Sequence, residues 1–157
     1  MKPKINVTIQ TRLACAATRA WEEVQKPCLL IYVAAPWLKF TPRNDQGFPG
    51  TWEEGDFFVS MFVFGFLPLG LERIGISTRI GADGDFYIRD DGGGTLVRRW
   101  DHLITIRPDG NDICLYSDSV DIRAGILTPL VWIFAQLFYR WRQHRWRRLV
   151  AGNFQYS

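Results

Sequence analysis

The C-terminal stretch of residues 128–150 restricts the possible architectures of this chain more than any other segment. Thr128 is suited to cap a helix through its hydroxyl, Pro129 to occupy the first helical position, and Gly152 to end the helix. The stretch therefore predicts one long helix. Its first half is apolar on nearly every side and should be held by a concave partner, whereas its second half carries arginine on most sides and should reach water.

The first fifty residues predict one strand, two short helices and an ordered loop. Residues 4–10 alternate apolar and polar side chains, which is typical of a strand with one buried face. Residues 16–25 are rich in helix formers and are followed by a Lys-Pro pair, after which residues 27–35 favour a second short helix. Residues 40–50 contain proline and glycine, favour a loop and require no domain boundary.

Residues 55–123 predict a meander of antiparallel strands, because apolar stretches alternate there with turn signals. A curved sheet wrapped around the C-terminal helix is the simplest way to bury the apolar surfaces of both. The expected fold class is therefore α+β, and the 157 residues should form a single domain, residues 1–157. The predicted strands comprise residues 56–66, 69–80, 85–90, 95–107 and 112–123.

Three short segments mark the start of the sheet, a late strand and the approach to the long helix: Trp52-Glu53-Glu54-Gly55, Trp100-Asp101-His102 and Ala124-Gly125. With this order of elements, the whole chain resembles the START/birch-pollen-allergen-like superfamily, also called SRPBCC, whose helix-grip fold wraps a curved sheet around a C-terminal helix. The superfamily includes lipid-transfer domains, plant hormone receptors and aromatic polyketide cyclases. The resemblance implies an apolar cavity between sheet and helix and leaves the ligand open.

Polar side chains share the more apolar faces of the last two predicted strands. In the first of these strands, Arg98 and His102 lie on the same face as Trp100. In the second, Asp118 shares a face with Tyr116. Because alternate side chains of a strand point to the same side, these polar groups should be directed toward the helix.

Turn geometry predicts how His102 and Asp118 face one another. A three-residue hairpin loop at residues 108–110 would pair Arg107 with Asn111 and place Trp100 opposite Asp118. The same register places His102 opposite Tyr116, so that His102 and Asp118 become diagonal neighbours, and the carboxylate should raise the pKa of the imidazole and hold its tautomer. Such a pair can serve as a buried structural contact, as a polar contact for a ligand, or as an acid and base in catalysis.

The favoured function is binding of a small hydrophobic or amphipathic ligand, such as a lipid, polyketide, sterol or quinone-like compound, between sheet and helix. A second hypothesis is a cyclase, dehydratase or isomerase in which His102 and Asp118 perform general acid–base catalysis. A third is an interaction module whose own side chains fill the cavity. The candidate ligand-binding residues are Arg98, Trp100, His102, Tyr116, Asp118, Phe134 and Phe138.

Motifs for metal or cofactor chemistry are missing from the sequence. The two histidines lack metal-binding spacing, and the three cysteines include no CxxC pair. Gly92-Gly93-Gly94 is interpreted as a flexible turn, and no nucleophile elbow is present, so neither a cofactor nor a metal is expected.

Separated cysteines and the lack of a signal peptide in residues 1–20 indicate a reducing cytoplasm.

The basic end of the long helix raises the question of an anionic partner. Its arginines are expected to form a solvated face that the helix dipole favours. A weak contact with an anionic membrane surface is the alternative, and nucleic acid is not expected as a partner. The arginines concerned are Arg140, Arg142, Arg145, Arg147 and Arg148.

The predicted strand at residues 56–66 has two apolar faces, with Phe58 on one and with Val59 and Met61 on the other. An antiparallel sheet that grips one helix should leave one face to water, so the second apolar face requires a cover. Either the loop at residues 40–52 or a second copy of the chain should provide it, and a homodimer is the preferred interpretation.

Overall fold

A seven-stranded antiparallel sheet, two short helices and one long helix make up residues 5–156, which the computed structural model describes. Lys4, assigned from the sequence to the first strand, lies outside this range. In chain order the elements are β1 (Ile5–Leu13), α1 (Ala17–Val24), α2 (Pro27–Ala34), β2 (Leu38–Pro42), β3 (Gly55–Val63), β4 (Leu67–Ile80), β5 (Phe86–Gly94), β6 (Arg99–Pro108), β7 (Cys114–Arg123), a 3-10 turn at Gly125–Leu127 and α3 (Thr128–Ala151).

The strands lie in the order β1-β7-β6-β5-β4-β3-β2, and each pair of neighbours is antiparallel. The curved sheet faces one long C-terminal helix and follows two short helices, which confirms the expected fold class. β2 was not expected, because three of its five residues, 40–42, lie at the start of the stretch that the sequence assigns to a loop. As an edge strand it pairs on one side only, which is why Pro42 is tolerated at its end.

The second half of α3 is the more deeply buried half, contrary to the expectation from its arginines. Trp146 is fully buried, and it packs with Leu149 against the sheet and the first two helices. Polar side chains of this half bind backbone carbonyls of neighbouring elements: Trp141 Nε1 donates to Ala35 at 2.8 Å, and Gln143 Nε2 donates to Ile9 at 2.6 Å. These contacts attach α3 to α2 and β1.

The first half of α3 covers the sheet more loosely. Ala135 and Phe138 are buried against it, whereas Leu130 and Ile133 on the neighbouring turns are 65% and 52% exposed. Thr128 does not cap this helix, because its hydroxyl donates to the Gly125 carbonyl at 2.7 Å and accepts from the Ala124 N–H at 3.0 Å. The hydroxyl therefore fastens the 3-10 turn that precedes α3.

The register of β6 against β7 differs from the predicted one. Arg107 pairs with Leu115 instead of Asn111, and the loop comprises residues 109–113 instead of three residues. The Asp109 N–H donates to the Ile113 carbonyl at 2.9 Å, and this bond closes the longer loop. His102 consequently lies opposite Val120.

The glycine tract and β3 also depart from the sequence-based assignment. Gly92-Gly93-Gly94 continues β5 and is not a turn. Val59 and Met61 of β3 face the interior, and Phe58 on the outer face is 58% exposed. The loop at residues 40–52 does not cover that outer face, because its aromatic side chains pack with Phe57 on the inner side.

Candidate functional site

A cavity of about 440 Å³ lies between the inner face of the sheet and the first half of α3. A smaller compartment of about 60 Å³ adjoins it and shares with it the side chains of Asp90, His102 and Arg142. The larger compartment is bounded by partly exposed residues of α3, including Leu130 and Ile133, so it opens to the surface there. The smaller one extends inward toward α1 and α2.

Most of the cavity wall is apolar and aromatic. Of the candidate residues, Trp100, Phe134 and Phe138 line the larger compartment. Phe134 and Phe138 stack with ring centroids 5.5 Å apart, because positions four residues apart share one side of a helix. Further apolar residues complete the wall: Leu38, Phe40, Met61, Val63, Leu69, Ile74, Leu96, Val97 and Val131.

His102 and Asp118 form a direct buried contact, with His102 Nε2 2.7 Å from Asp118 Oδ1. Tyr116 donates its hydroxyl to the same carboxylate oxygen at 3.0 Å, and Gln143 Nε2 donates to the other oxygen at 3.1 Å. Tyr116 and Asp118 therefore lie behind the cavity wall, where they support His102. Only His102 of these candidates lines the cavity itself.

The charge states of this network follow from burial and pairing. Burial lowers the pKa of His102. Asp118 acts in the predicted direction and raises this pKa, but it offsets only part of the effect of burial, so the net pKa lies below the usual value. Burial alone would raise the pKa of Asp118, but Arg142 and the hydrogen bond from His102 lower it. Because ionised Asp118 only accepts hydrogen bonds, neutral His102 carries its proton on Nε2 and keeps Nδ1 as an acceptor.

Arg98 does not belong to the site. It precedes β6, its side chain is exposed, and it does not line the cavity. The neighbouring Val97 is buried and lines the wall instead. The predicted strand began at residue 95, whereas β6 begins at Arg99. The alternation of inner and outer side chains therefore does not apply to Arg98, and its predicted inward direction is wrong.

Arg142 is the principal residue that sequence reasoning missed. It was assigned to a solvated helix face, but it is 3% exposed and lines both compartments. Its Nη2 donates to the Tyr116 hydroxyl at 3.1 Å and lies 3.6 Å from Asp118 Oδ1. The spacing of four residues from Phe138, a predicted cavity residue, was the available signal, since it places both on one side of the helix.

Glu72 and Asp90 are two further polar groups of the cavity wall that the sequence did not indicate. Burial, supplemented by the neighbouring Asp90, raises the pKa of Glu72 to about 7. Burial likewise raises the pKa of Asp90 to about 7, although the backbone N–H groups of Gly75 and Gly92 donate to it. Both carboxyl groups are therefore partly protonated at neutral pH.

The glycine tract makes room for these two carboxyl groups. A Cβ atom at Gly94 would collide with the Glu72 carboxylate, and one at Gly92 would collide with Asp90 and the Arg73 carbonyl. The pairing of β4 with β5 is interrupted next to this point, and Asp90 Oδ1 accepts the Gly75 N–H there at 2.8 Å. The tract thus shapes the cavity wall.

Residues 11–151 match a family model described as a domain of unknown function, DUF8410. The chain belongs to the DUF8410 family. No curated protein matches it in sequence. Within residues 5–156 of this DUF8410 protein, no helix is long and apolar enough to cross a bilayer. The same residues contain no cluster of three or more potential metal ligands.

Solved structures with the same fold place the DUF8410 protein in a wider context. A START superfamily protein from Mycobacterium smegmatis is 13% identical, with a TM-score of 0.59 over 94% of this chain and 97% of that chain. Norcoclaurine synthase from Thalictrum flavum, a point mutant in complex with a transition-state analogue, is 15% identical, with a TM-score of 0.61 over 99% and 100%. The Zhui aromatase/cyclase from Streptomyces sp. R1128 is 10% identical, with a TM-score of 0.56 over 97% and 94%.

These similarities confirm the resemblance drawn from the sequence. The DUF8410 chain has the helix-grip fold of the START/birch-pollen-allergen-like superfamily over nearly its whole length. At 10–15% identity the similarity shows the fold alone and does not determine the function.

Proposed function

We propose that the protein binds a small hydrophobic or amphipathic ligand, of the lipid, polyketide, sterol or quinone-like class, in the cavity beneath α3. The observation that carries this proposal is the cavity itself, about 440 Å³ of space with a largely apolar wall and an opening at Leu130 and Ile133. Ligand pockets in proteins measure about 300–1,000 Å³ and combine apolar walls with a few polar groups. The volume also argues against the third hypothesis, in which side chains fill the space.

Catalysis by His102 and Asp118 is the second candidate function. It is favoured by the 2.7 Å contact between them and by the position of His102 on the cavity wall. A neutral imidazole whose Nε2–H is held by a carboxylate keeps Nδ1 as a proton acceptor, and such a group can act as the general base in proton abstraction next to a carbonyl. The solved structures of similar fold include an aromatase/cyclase and a synthase, so the fold is compatible with such chemistry.

A cytoplasmic location and a weak contact with anionic membranes remain proposals. The three cysteines are free thiols, which fits a reducing compartment.

The basic surface available to a membrane is smaller than the sequence suggested, because Arg142 is buried and Arg145 lies over the Tyr32 ring at 3.9 Å. Arg140 and Arg148 are exposed and would make such a contact.

A fluorescence experiment tests ligand binding. An anilinonaphthalene sulfonate probe should bind the folded protein and be displaced by a long-chain lipid or an aromatic polyketide. Met61→Trp should weaken probe binding at least about tenfold, because the larger side chain fills the cavity that Met61 lines.

Phe58→Trp is the matched control, since Phe58 lies on the same strand and points outward. Its affinity for the probe should equal that of the parent protein. Equal probe binding by all three proteins would place the probe outside the cavity and contradict the proposal.

A further inference from the structure

Arg142 is a buried cation whose hydrogen-bonding capacity exceeds what its protein neighbours use. A guanidinium has five N–H donors. Nη2 has Tyr116 as its partner, and Nε is buried without any acceptor among the described residues. The amino group Nη1 has no acceptor among the described residues either, and it is not buried as Nε is. A polar group enclosed in an apolar cavity loses free energy when it lacks a partner, so an acceptor that a ligand supplies to Nη1 would be stabilising.

Asp118 does not use up these donors, although it is the nearest carboxylate. Its shortest distance to Arg142 is 3.6 Å, which is beyond a hydrogen bond. The oxygens of Asp118 accept hydrogen bonds from His102, Tyr116 and Gln143 instead. The carboxylate thus offsets the charge of Arg142 and leaves Nη1 of the guanidinium without a partner among the described residues.

On the basis of the ligand-binding function proposed above, we propose that the ligand carries a carboxylate at one end and that Arg142 binds this carboxylate. The planar fork of a guanidinium matches the two oxygens of a carboxylate. Arg142 lies where the two compartments meet, so the carboxylate would lie at the inner end of the larger one. The apolar body would then extend past Phe138 and Phe134 toward the opening at Leu130.

Glu72 and Asp90 determine whether an anion or a cation suits the cavity. Two ionised carboxylates would favour an amine, but burial raises the pKa of each to about 7, so each is protonated in part and can donate to a ligand oxygen. Asp90 is also engaged already by the Gly75 N–H. Arg142 remains charged at every relevant pH. Its only side-chain hydrogen bond among the described residues goes to Tyr116, so Arg142 favours an anionic ligand.

Three probes with the same twelve-carbon chain separate the head groups: dodecanoic acid, dodecanol and dodecylamine. Their dissociation constants are measured at neutral pH by displacement of the fluorescent probe. The parent protein should bind the acid about tenfold or more tightly than the alcohol. Arg142→Met should remove this preference and leave the affinity for the alcohol, because the apolar stem retains its packing.

Arg140→Met is the matched control, since Arg140 lies on the same helix and its side chain is exposed. It should keep the preference for the acid. Because Arg142→Met leaves Asp118 buried without its cation, the double variant Arg142→Met/Asp118→Asn is compared as well, with melting temperatures for every protein. The double variant should also lose the preference.

The outcomes distinguish this inference from the function on which it rests. If none of the three probes binds, the proposed ligand-binding function is wrong, and the inference falls with it. If the acid and the alcohol bind equally, or if the amine binds best, the protein binds apolar ligands but Arg142 does not select a carboxylate. Persistence of the acid preference in a folded Arg142 variant would also overturn the inference.

Discussion

Asp118 has more buried polar contacts than any other residue described at the site, and it links a strand to the long helix. Its carboxylate accepts from His102, Tyr116 and Gln143, and it lies near the Arg142 guanidinium. Replacing it by asparagine would leave that guanidinium buried without an anion, which typically costs about 3–5 kcal/mol of stability. Asp118→Asn would therefore mix stability with function, and His102 is the better position at which to test catalysis.

His102→Gln should separate catalysis from binding at the residue scale. If His102 acts as a base, incubation with a linear poly-β-ketone thioester should yield cyclised, dehydrated product with the parent protein, detected by mass spectrometry as loss of water. The variant should form this product about a hundredfold or more slowly and still bind the fluorescent probe, because glutamine cannot accept the proton.

His144→Gln is the control for this experiment, because His144 is exposed on the same protein. It should retain the parent rate. Absence of product with the parent protein, or equal rates with and without His102, would exclude the acid–base hypothesis for this substrate class and leave binding as the function.

At the scale of elements, alternation of apolar and polar residues predicted strands and helices well, whereas contacts between elements were predicted less well. The diagonal contact of His102 with Asp118 is present although the register was wrong. In the predicted register His102 lies opposite Tyr116, and in the observed register it lies opposite Val120. Asp118 is two residues away from each of these positions, so it is diagonal to His102 in both registers. The loop length, which the sequence does not determine alone, accounts for the difference.

The burial of α3 could not be predicted from its residue types. Arginine usually reaches water, so the arginine-rich half was assigned to the surface. In the fold, Trp146 and Leu149 pack inward on that half, and the arginines bind carbonyls, aromatic rings and the Asp118 network. The apolar first half is less buried because part of the surface beneath it is cavity. A lined cavity and a filled core require the same apolar residues, so the sequence does not distinguish them.

Two leucines of α3 test this assignment of its halves. Leu149 is 1% exposed and Leu137 is 53% exposed. Leu149→Ala should lower the free energy of unfolding by about 2–5 kcal/mol, as expected for a fully buried leucine. Leu137→Ala, the same substitution on the exposed side, should change it by less than about 1 kcal/mol. Urea denaturation measures both, and equal losses would contradict the assignment.

For the molecule as a whole, the outer face of the sheet raises the question of assembly. Phe58 and Leu71 are 58% and 48% exposed on neighbouring strands, and their side chains point away from the cavity. Val59 and Met61 face inward, so substituting them would disturb the cavity and would not test an interface. With the loop at residues 40–52 packed on the inner side, a second copy of the chain is the remaining hypothesis for covering this face.

Phe58→Lys tests the homodimer directly. If two copies pair through this face, light scattering should give twice the 18.2 kDa chain mass for the parent protein and the single chain mass for the variant, because a buried lysine would lack a partner. Phe58 is exposed within one chain, so the variant should unfold cooperatively at the temperature expected of a folded monomer. Phe58→Leu serves as the control, since it retains an apolar surface and should remain a dimer. A monomer mass for the parent protein would exclude the homodimer and would mean that the outer face of the sheet is exposed to solvent.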